Sequence, residues 1–135
     1  MSINVETVVT GPFQENSYIV WYSDSTDAII VDPGDDKHLI IQSIDDHKLT
    51  PMAIVNTHAH LDHIGAVQPL KHEYDIPFYL HPNEQFILNT YEDACRMFGM
   101  TPGETPTVDV WFNDAENLKI NAFNKIGRAS CRERV

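Results

Sequence analysis

A polar loop of seven residues lies between an apolar strand and a helix near the middle of this chain. The segment before it, Met52–Asn56, is short and apolar, as expected of a buried strand. The segment after it, Ile64–Tyr74, has apolar residues at helical spacing. The loop itself reads Thr57-His58-Ala59-His60-Leu61-Asp62-His63. A strand that passes through a short loop into a helix is the repeating unit of α/β folds, so this stretch strongly limits the fold class.

The remaining segments favour the same class. Strand patterns come first, and strand and helix patterns then alternate. We predict strands at Ile3–Thr10, Ser17–Trp21, Ala28–Asp32, Met52–Asn56, Pro77–His81, Val108–Phe112 and Leu118–Ala122. We predict helices at Lys37–His47, Ile64–Tyr74, Pro82–Thr90 and Ala94–Phe98. The turn Asp32-Pro33-Gly34-Asp35 ends the third strand and offers the first helix an N-cap.

Composition excludes several classes of protein. A chain of 135 residues is the size of one domain, and 42% apolar residues argue against wholesale disorder. No segment approaches the roughly 18 apolar residues that span a bilayer, so we expect no membrane partner. The net charge of −11 repels polyphosphate and makes nucleic acid a poor partner. Two cysteines are too few for a disulfide framework, and we expect a cytoplasmic location.

The last ten residues differ from the rest of the chain. Three of the four arginines lie within residues 126–135, and no apolar periodicity follows Phe123. The string Ile126-Gly127-Arg128-Ala129-Ser130-Cys131-Arg132-Glu133-Arg134-Val135 resembles the translation of a common sequencing-library adapter. We therefore expect a domain over residues 1–125 and a non-native tail over residues 126–135. A native basic tail is the alternative.

Four side chains of the central loop can bind metal: His58, His60, Asp62 and His63. In a chain of this composition, such a string is expected only about 0.002 times by chance. Histidines two residues apart on an extended loop point the same way, so His58 and His60 can converge on one ion. Asp62 and His63 lie beyond the bend and can reach a second ion. These ligands suit Zn²⁺, with Fe or Mn as further candidates, and a solvated histidine-rich loop is the non-metal alternative.

Other segments accompany this loop. They are Gln14-Glu15-Asn16-Ser17, Val31-Asp32-Pro33-Gly34, Ile76-Pro77-Phe78 and Met97-Phe98-Gly99. Together with His58-x-His60-x-Asp62-His63, they resemble the metallo-β-lactamase superfamily, and within it the glyoxalase II-like (hydroxyacylglutathione hydrolase-like) metallohydrolases. The resemblance covers Ile3 to about Phe123. It implies the N-terminal half of an αββα four-layer sandwich, in which a mixed β-sheet carries helices on one face.

The resemblance also implies roles for individual residues. His58 and His60 would hold a first metal, and Asp62 and His63 a second, giving two zinc ions in a complete site. A hydroxide bridging the ions, positioned by Asp62, would attack a small-molecule thioester such as S-acylglutathione. Asp32 would brace the metal loop without binding an ion, and its alternative role is a plain turn or helix cap. Nothing identifies the residues that bind substrate.

Three further ligands, two histidines and an aspartate, belong by this resemblance to a second half of the fold beyond Val135. The chain alone would offer at most two ligands per ion, so we expect it to bind metal weakly and to be inactive. We also expect one face of its sheet to be uncovered. Two other functions remain open: a mononuclear-iron glutathione persulfide dioxygenase, and a non-catalytic metal-binding or interaction module. Lactonases and β-lactamases share the scaffold as well.

Overall fold

A computed structural model describes residues 2–11, 14–56, 64–99 and 105–111. The strands among these residues form one mixed sheet. Its strands are Ile3–Thr10 (β1), Glu15–Tyr22 (β2), Asp27–Val31 (β3), Thr50–Val55 (β4), Phe78–Leu80 (β5) and Val110–Trp111 (β6). The described strands lie side by side in sequence order. The first three are antiparallel, and β3 to β6 are parallel. Hairpins thus lead into parallel crossovers, as predicted.

Helices connect the parallel strands, because a parallel pair needs a crossover to return the chain to the same edge. They are Lys37–Asp46 (α1), Val67–Tyr74 (α2), Gln85–Asn89 (α3) and Tyr91–Met97 (α4), with a 3-10 turn at Pro82–Glu84. Among the described residues, no helix has both the length and the apolar character needed to cross a membrane.

The main core lies between these helices and one face of the sheet. Apolar residues four positions apart, Ile40 and Ile44, lie on the same face of α1 and are buried there. The other helices bury residues in the same cluster, which includes Ile19, Ile30, Ile54, Val67, Leu70, Phe78, Leu80, Leu88, Tyr91 and Cys95. The prediction of helices on one face of a mixed sheet is therefore confirmed for the described elements.

The opposite face of the sheet is also apolar, because successive strand residues point to opposite sides. Its central residues are Val20, Ile29, Val31, Ala53 and Val55, and none is more than 3% exposed. The expectation of an uncovered face is thus wrong at the sheet centre, where large side chains of neighbouring strand positions pack against this cluster: Tyr18, Tyr22, Met52 and Tyr79. The expectation holds towards the described edges of the sheet: Ile3, Val5 and Val9 on β1 are each more than half exposed, and Val110 on β6 is 36% exposed.

Element types agree with the sequence prediction, but several bounds differ. Strand β1 has the predicted bounds, whereas the strand predicted over Val108–Phe112 shrinks to β6. Residues 65 and 66 form a turn, so α2 begins later than Ile64. The strand predicted at Leu118–Ala122 lies outside the described residues.

The N-cap predicted for α1 within Asp32–Asp35 is wrong. The N-cap residue is Asp36, which has φ 49° and makes no side-chain capping bond. Its carboxylate instead accepts a hydrogen bond from the Gly11 N–H at 2.9 Å. The first helix therefore begins at a long-range contact with the end of β1, which local sequence does not reveal.

Lys71 fixes the segment before β6 to helix α2. Its Nζ lies 2.7 Å from Asp109 Oδ2 and donates to the Thr107 carbonyl at 2.6 Å. The Phe78 N–H also donates to Asp109 Oδ2, at 2.8 Å, and the Thr107 N–H donates to Gln68 Oε1 at 3.0 Å. Burial opposes ionisation of Asp109, but the hydrogen bonds from Lys71 and Phe78 outweigh it and lower the pKa of this carboxyl.

We expect Asp109→Asn to lower the free energy of unfolding at pH 7, because it removes the ion pair with Lys71. The loss should not exceed about 1 kcal/mol, because the Asp109 side chain is partly exposed and solvent screens the pair. The folded pKa lies below the ordinary 3.8, so this contribution is present above that value and is lost as the pH falls through the folded pKa. Urea unfolding at neutral and acidic pH measures both effects. Asp93→Asn, which breaks an exposed pair with Arg96, is the matched control. Equal stability of Asp109→Asn and the parent at pH 7 would contradict this account.

Candidate functional site

A buried corner follows strand β3 and comprises Asp32, Pro33 and Gly34. Asp32 is fully buried and has φ 51°, which places it in the left-handed region. Aspartate tolerates this conformation better than most residues other than glycine. The corner therefore ends β3 sharply and begins the connection to α1.

The corner is hydrogen-bonded just outside both ends of the predicted metal loop. The Asp32 N–H donates to the carbonyl of Val55, the last residue of β4, at 3.3 Å. The Ala66 N–H, just before α2, donates to the Pro33 carbonyl at 3.0 Å. The chain segments that enter and leave residues 57–63 are therefore held against one turn. This arrangement holds Val55 and Ala66, which lie on either side of residues 57–63, in place relative to each other.

A buried hydroxyl on β2 holds the corner from the other side. Ser17 is 0% exposed, and its Oγ donates to the Asp32 carbonyl at 2.9 Å. The same oxygen accepts a hydrogen bond from the Gly34 N–H at 3.2 Å. Thr10 Oγ1 lies 3.2 Å from Ser17 Oγ, and Thr10 is the donor because the Ser17 proton is already directed at a carbonyl. Strand β2 thus supports the corner directly through Ser17, whereas the Thr10 side chain on β1 contacts the Ser17 hydroxyl.

Asn56 is the last described residue before the loop, and it is fully buried. Its N–H donates to the carbonyl of Tyr79 on β5 at 3.1 Å, which continues the pairing of β4 and β5.

Burial, with a smaller contribution from Asp109, raises the pKa of the Tyr79 phenol. Tyr79 is therefore neutral at physiological pH, and we assign it no acid–base role.

The structure places one of the five predicted site residues, Asp32. His58, His60, Asp62 and His63 lie outside the described residues. Within the ranges 2–11, 14–56, 64–99 and 105–111, no group of three or more His, Cys, Asp or Glu side chains could hold a metal ion. The helix-cap role considered for Asp32 is wrong, because the N-cap of α1 is Asp36.

A cavity of about 480 Å³ lies elsewhere, next to the segment that Lys71 fixes. It is lined by Gln68, Lys71, His72, Asp75, Ile76, Pro77, Thr107 and Asp109. These residues surround the start of β5, whereas the predicted loop follows the end of β4, which runs parallel to β5. The cavity therefore lies at the opposite end of these strands from Asn56, the last described residue before the predicted loop.

We assigned no role from the sequence to two residues that shape this region, Ser17 and Gly65. Ser17 belongs to one of the segments that carry the family resemblance, but the sequence carried no signal that its hydroxyl contacts the corner. Gly65 did carry a signal, because glycine is a poor helix former and lies inside the segment Ile64–Tyr74 that we predicted as helical.

We expect Gly65→Ala to lower the free energy of unfolding by roughly 1–3 kcal/mol through overpacking. A Cβ at this position would lie 2.1 Å from the Gly34 carbonyl oxygen, a backbone atom that moves only with the corner. Gly99→Ala is the control: it meets open space but has φ 70°, so its cost, about 1 kcal/mol, is conformational alone. Denaturant titration measures both, and an unchanged midpoint for Gly65→Ala would refute the close approach.

Residues 10–126 match the sequence model of the metallo-beta-lactamase superfamily. The hydroxyacylglutathione hydrolase GloC of Haemophilus influenzae is 31% identical over 124 residues, which are 90% of this chain and 58% of that protein. The probable metallo-hydrolase YqgX of Bacillus subtilis is 48% identical over 75 residues, 56% of this chain and 35% of that protein. The chain thus spans 58% or less of the length of these relatives.

Solved structures agree with this assignment. The BLEG-1 B3 metallo-beta-lactamase superposes with a TM-score of 0.76 at 33% identity, over 87% of this chain and 57% of that one. TTHA1623, crystallised in a di-iron-bound form, gives a TM-score of 0.76 at 34% identity, over 84% and 56% of the two chains. The predicted α/β class is confirmed, and the described part fits the N-terminal portion of the superfamily fold. The chain belongs to the metallo-β-lactamase superfamily.

Proposed function

We propose that this chain carries part of the metal site of a metal-dependent hydrolase, formed by the loop Thr57–His63. The observation that carries the proposal is the string His58-x-His60-x-Asp62-His63 next to a corner that is bonded on both sides of it. Three imidazoles and a carboxylate fit a divalent transition metal. When bound, such a metal lowers the pKa of a water molecule and polarises a substrate carbonyl.

The proposal gives each of the four candidate ligands in the loop a role. His58 and His60 would hold one ion, and Asp62 and His63 the other, with Asp62 also orienting the nucleophilic oxygen. Asp32 would brace the loop from the corner. Its complete burial and the backbone bond to the end of β4 support that role, because residues behind a metal site commonly orient its ligands.

Zinc is the metal we propose, since histidine and aspartate are among its common ligands. Iron is the specific alternative, because the similar TTHA1623 was crystallised in a di-iron-bound form. Manganese remains a prediction from ligand chemistry alone. Metal analysis of the purified protein distinguishes the three.

For the substrate, we propose a small-molecule thioester such as S-acylglutathione, which the similarity to the hydroxyacylglutathione hydrolase GloC supports. The similarity to the BLEG-1 B3 metallo-beta-lactamase favours a β-lactam as the second candidate. The persulfide dioxygenase alternative stays a prediction, since the solved ETHE1 from Myxococcus xanthus is 15% identical and shares the fold alone. A cytoplasmic location and a non-catalytic module also remain predictions.

We expect the double substitution His58→Ala with His60→Ala to weaken zinc binding at least about tenfold, since it removes both proposed ligands of one ion. Competition with a fluorescent chelator measures the affinity. The matched control is His38→Ala with His72→Ala, which removes two exposed histidines from α1 and α2. An unchanged zinc affinity in the loop variant would exclude this loop as the metal site.

We expect the 135-residue chain, saturated with zinc, to hydrolyse neither S-acylglutathione nor a β-lactam at a measurable rate. It offers at most two proposed ligands per ion, and a catalytic site needs about three plus a water molecule. A protein that also contains the remainder of the domain present in the longer relatives should hydrolyse the thioester, and its His58→Ala variant should not. Turnover by the 135-residue chain would overturn this assignment of ligands.

A further inference from the structure

We propose that Ser17 is a positioning residue for the metal loop and acts through the corner Asp32–Gly34. The inference rests on the proposed function, since it assigns a distant hydroxyl to the same loop. Ser17 is far from the loop in sequence and lies on β2, in the antiparallel half of the sheet.

Four described hydrogen bonds to backbone groups of the corner form two pairs. The Asp32 carbonyl and the Gly34 N–H are both bonded to Ser17 Oγ. The Asp32 N–H and the Pro33 carbonyl are bonded to Val55 and Ala66, the residues just outside the loop. One hydroxyl therefore holds the same turn that holds both loop ends.

Removal of the Ser17 hydroxyl would change the position of the corner and, through it, of the residues on either side of the loop. Ser17 is fully buried, so the Asp32 carbonyl and the Gly34 N–H would lose their partner in a place that water does not reach. The corner can recover these bonds only by moving. Because its other two bonds lead to Val55 and Ala66, that movement shifts the ends of the loop relative to each other.

A purely structural role for Ser17 predicts something different. In that case its loss would reduce the stability of the whole domain without a specific effect on the loop. Thr10 offers the matched control, because it is 2% exposed and its side-chain hydroxyl bonds to the same Ser17 oxygen and not to the described atoms of the corner. Thr10→Val removes that bond and leaves both contacts between Ser17 and the corner in place.

The test compares Ser17→Ala with Thr10→Val in the full chain, using zinc alone as the probe. We expect Ser17→Ala to raise the zinc dissociation constant about tenfold and Thr10→Val to change it less than about twofold. In the metal-free chain, Ser17→Ala should also raise the amide hydrogen-exchange rate of Ala66 about tenfold relative to amides of α1. Ser17→Cys, which keeps the side-chain shape with a larger and more weakly hydrogen-bonding atom, should fall between the parent and Ser17→Ala.

Two results would overturn the proposal. One is a Ser17→Ala variant of lower stability whose zinc affinity and relative Ala66 exchange match the parent. The other is a Thr10→Val variant with the same effects as Ser17→Ala. If the parent chain binds no zinc, the proposed metal function fails, and Ala66 exchange alone then decides whether Ser17 positions the loop ends.

Discussion

Four buried hydrogen bonds at the corner after β3 connect the antiparallel and parallel halves of this structure. Two of them reach back to Ser17, and two reach forward to Val55 and Ala66. An unpaired buried backbone group costs about 1–3 kcal/mol, so none of these bonds is lost without a substantial penalty. The corner therefore keeps one geometry, and the strand before the candidate loop and the helix after it are held by that geometry.

The same connections explain where function can reside in this part of the domain. The candidate loop follows the carboxyl end of a parallel strand, the end at which open α/β sheets usually bind ligands. The cavity at the other end of the strands is lined by a lysine whose charge is already paired with Asp109. Membership of the superfamily fixes the fold, whereas the substrate depends on side chains that vary between its members. The similarities to GloC and to BLEG-1 accordingly lead to different substrate proposals.

The sequence predicted those parts of the fold that depend on periodicity. Alternation gave β1 its bounds, and the helix predicted over Lys37–His47 agrees with α1, on which Ile40 and Ile44 are buried at four-residue spacing. The predicted N-cap failed because the carboxylate of Asp36 bonds to Gly11, a residue 25 positions away. The late start of α2 follows from the turn at residues 65 and 66, where Gly65 lies against the backbone of the corner.

The sequence by itself determined the types of the secondary-structure elements, the set of candidate metal ligands and the resemblance to the family. Element types and the ligand set are local, since each depends on residues within a few positions of one another. The resemblance combines several such short segments along the chain. The sequence also predicted a turn at Asp32–Asp35, but only the tertiary structure identified Ser17 and Gly65 as neighbours of this corner. Ser17 is 15 residues from Asp32 and 17 from Gly34, and no local pattern encodes a hydrogen bond over that distance. Such contacts arise only when packing brings separate strands together.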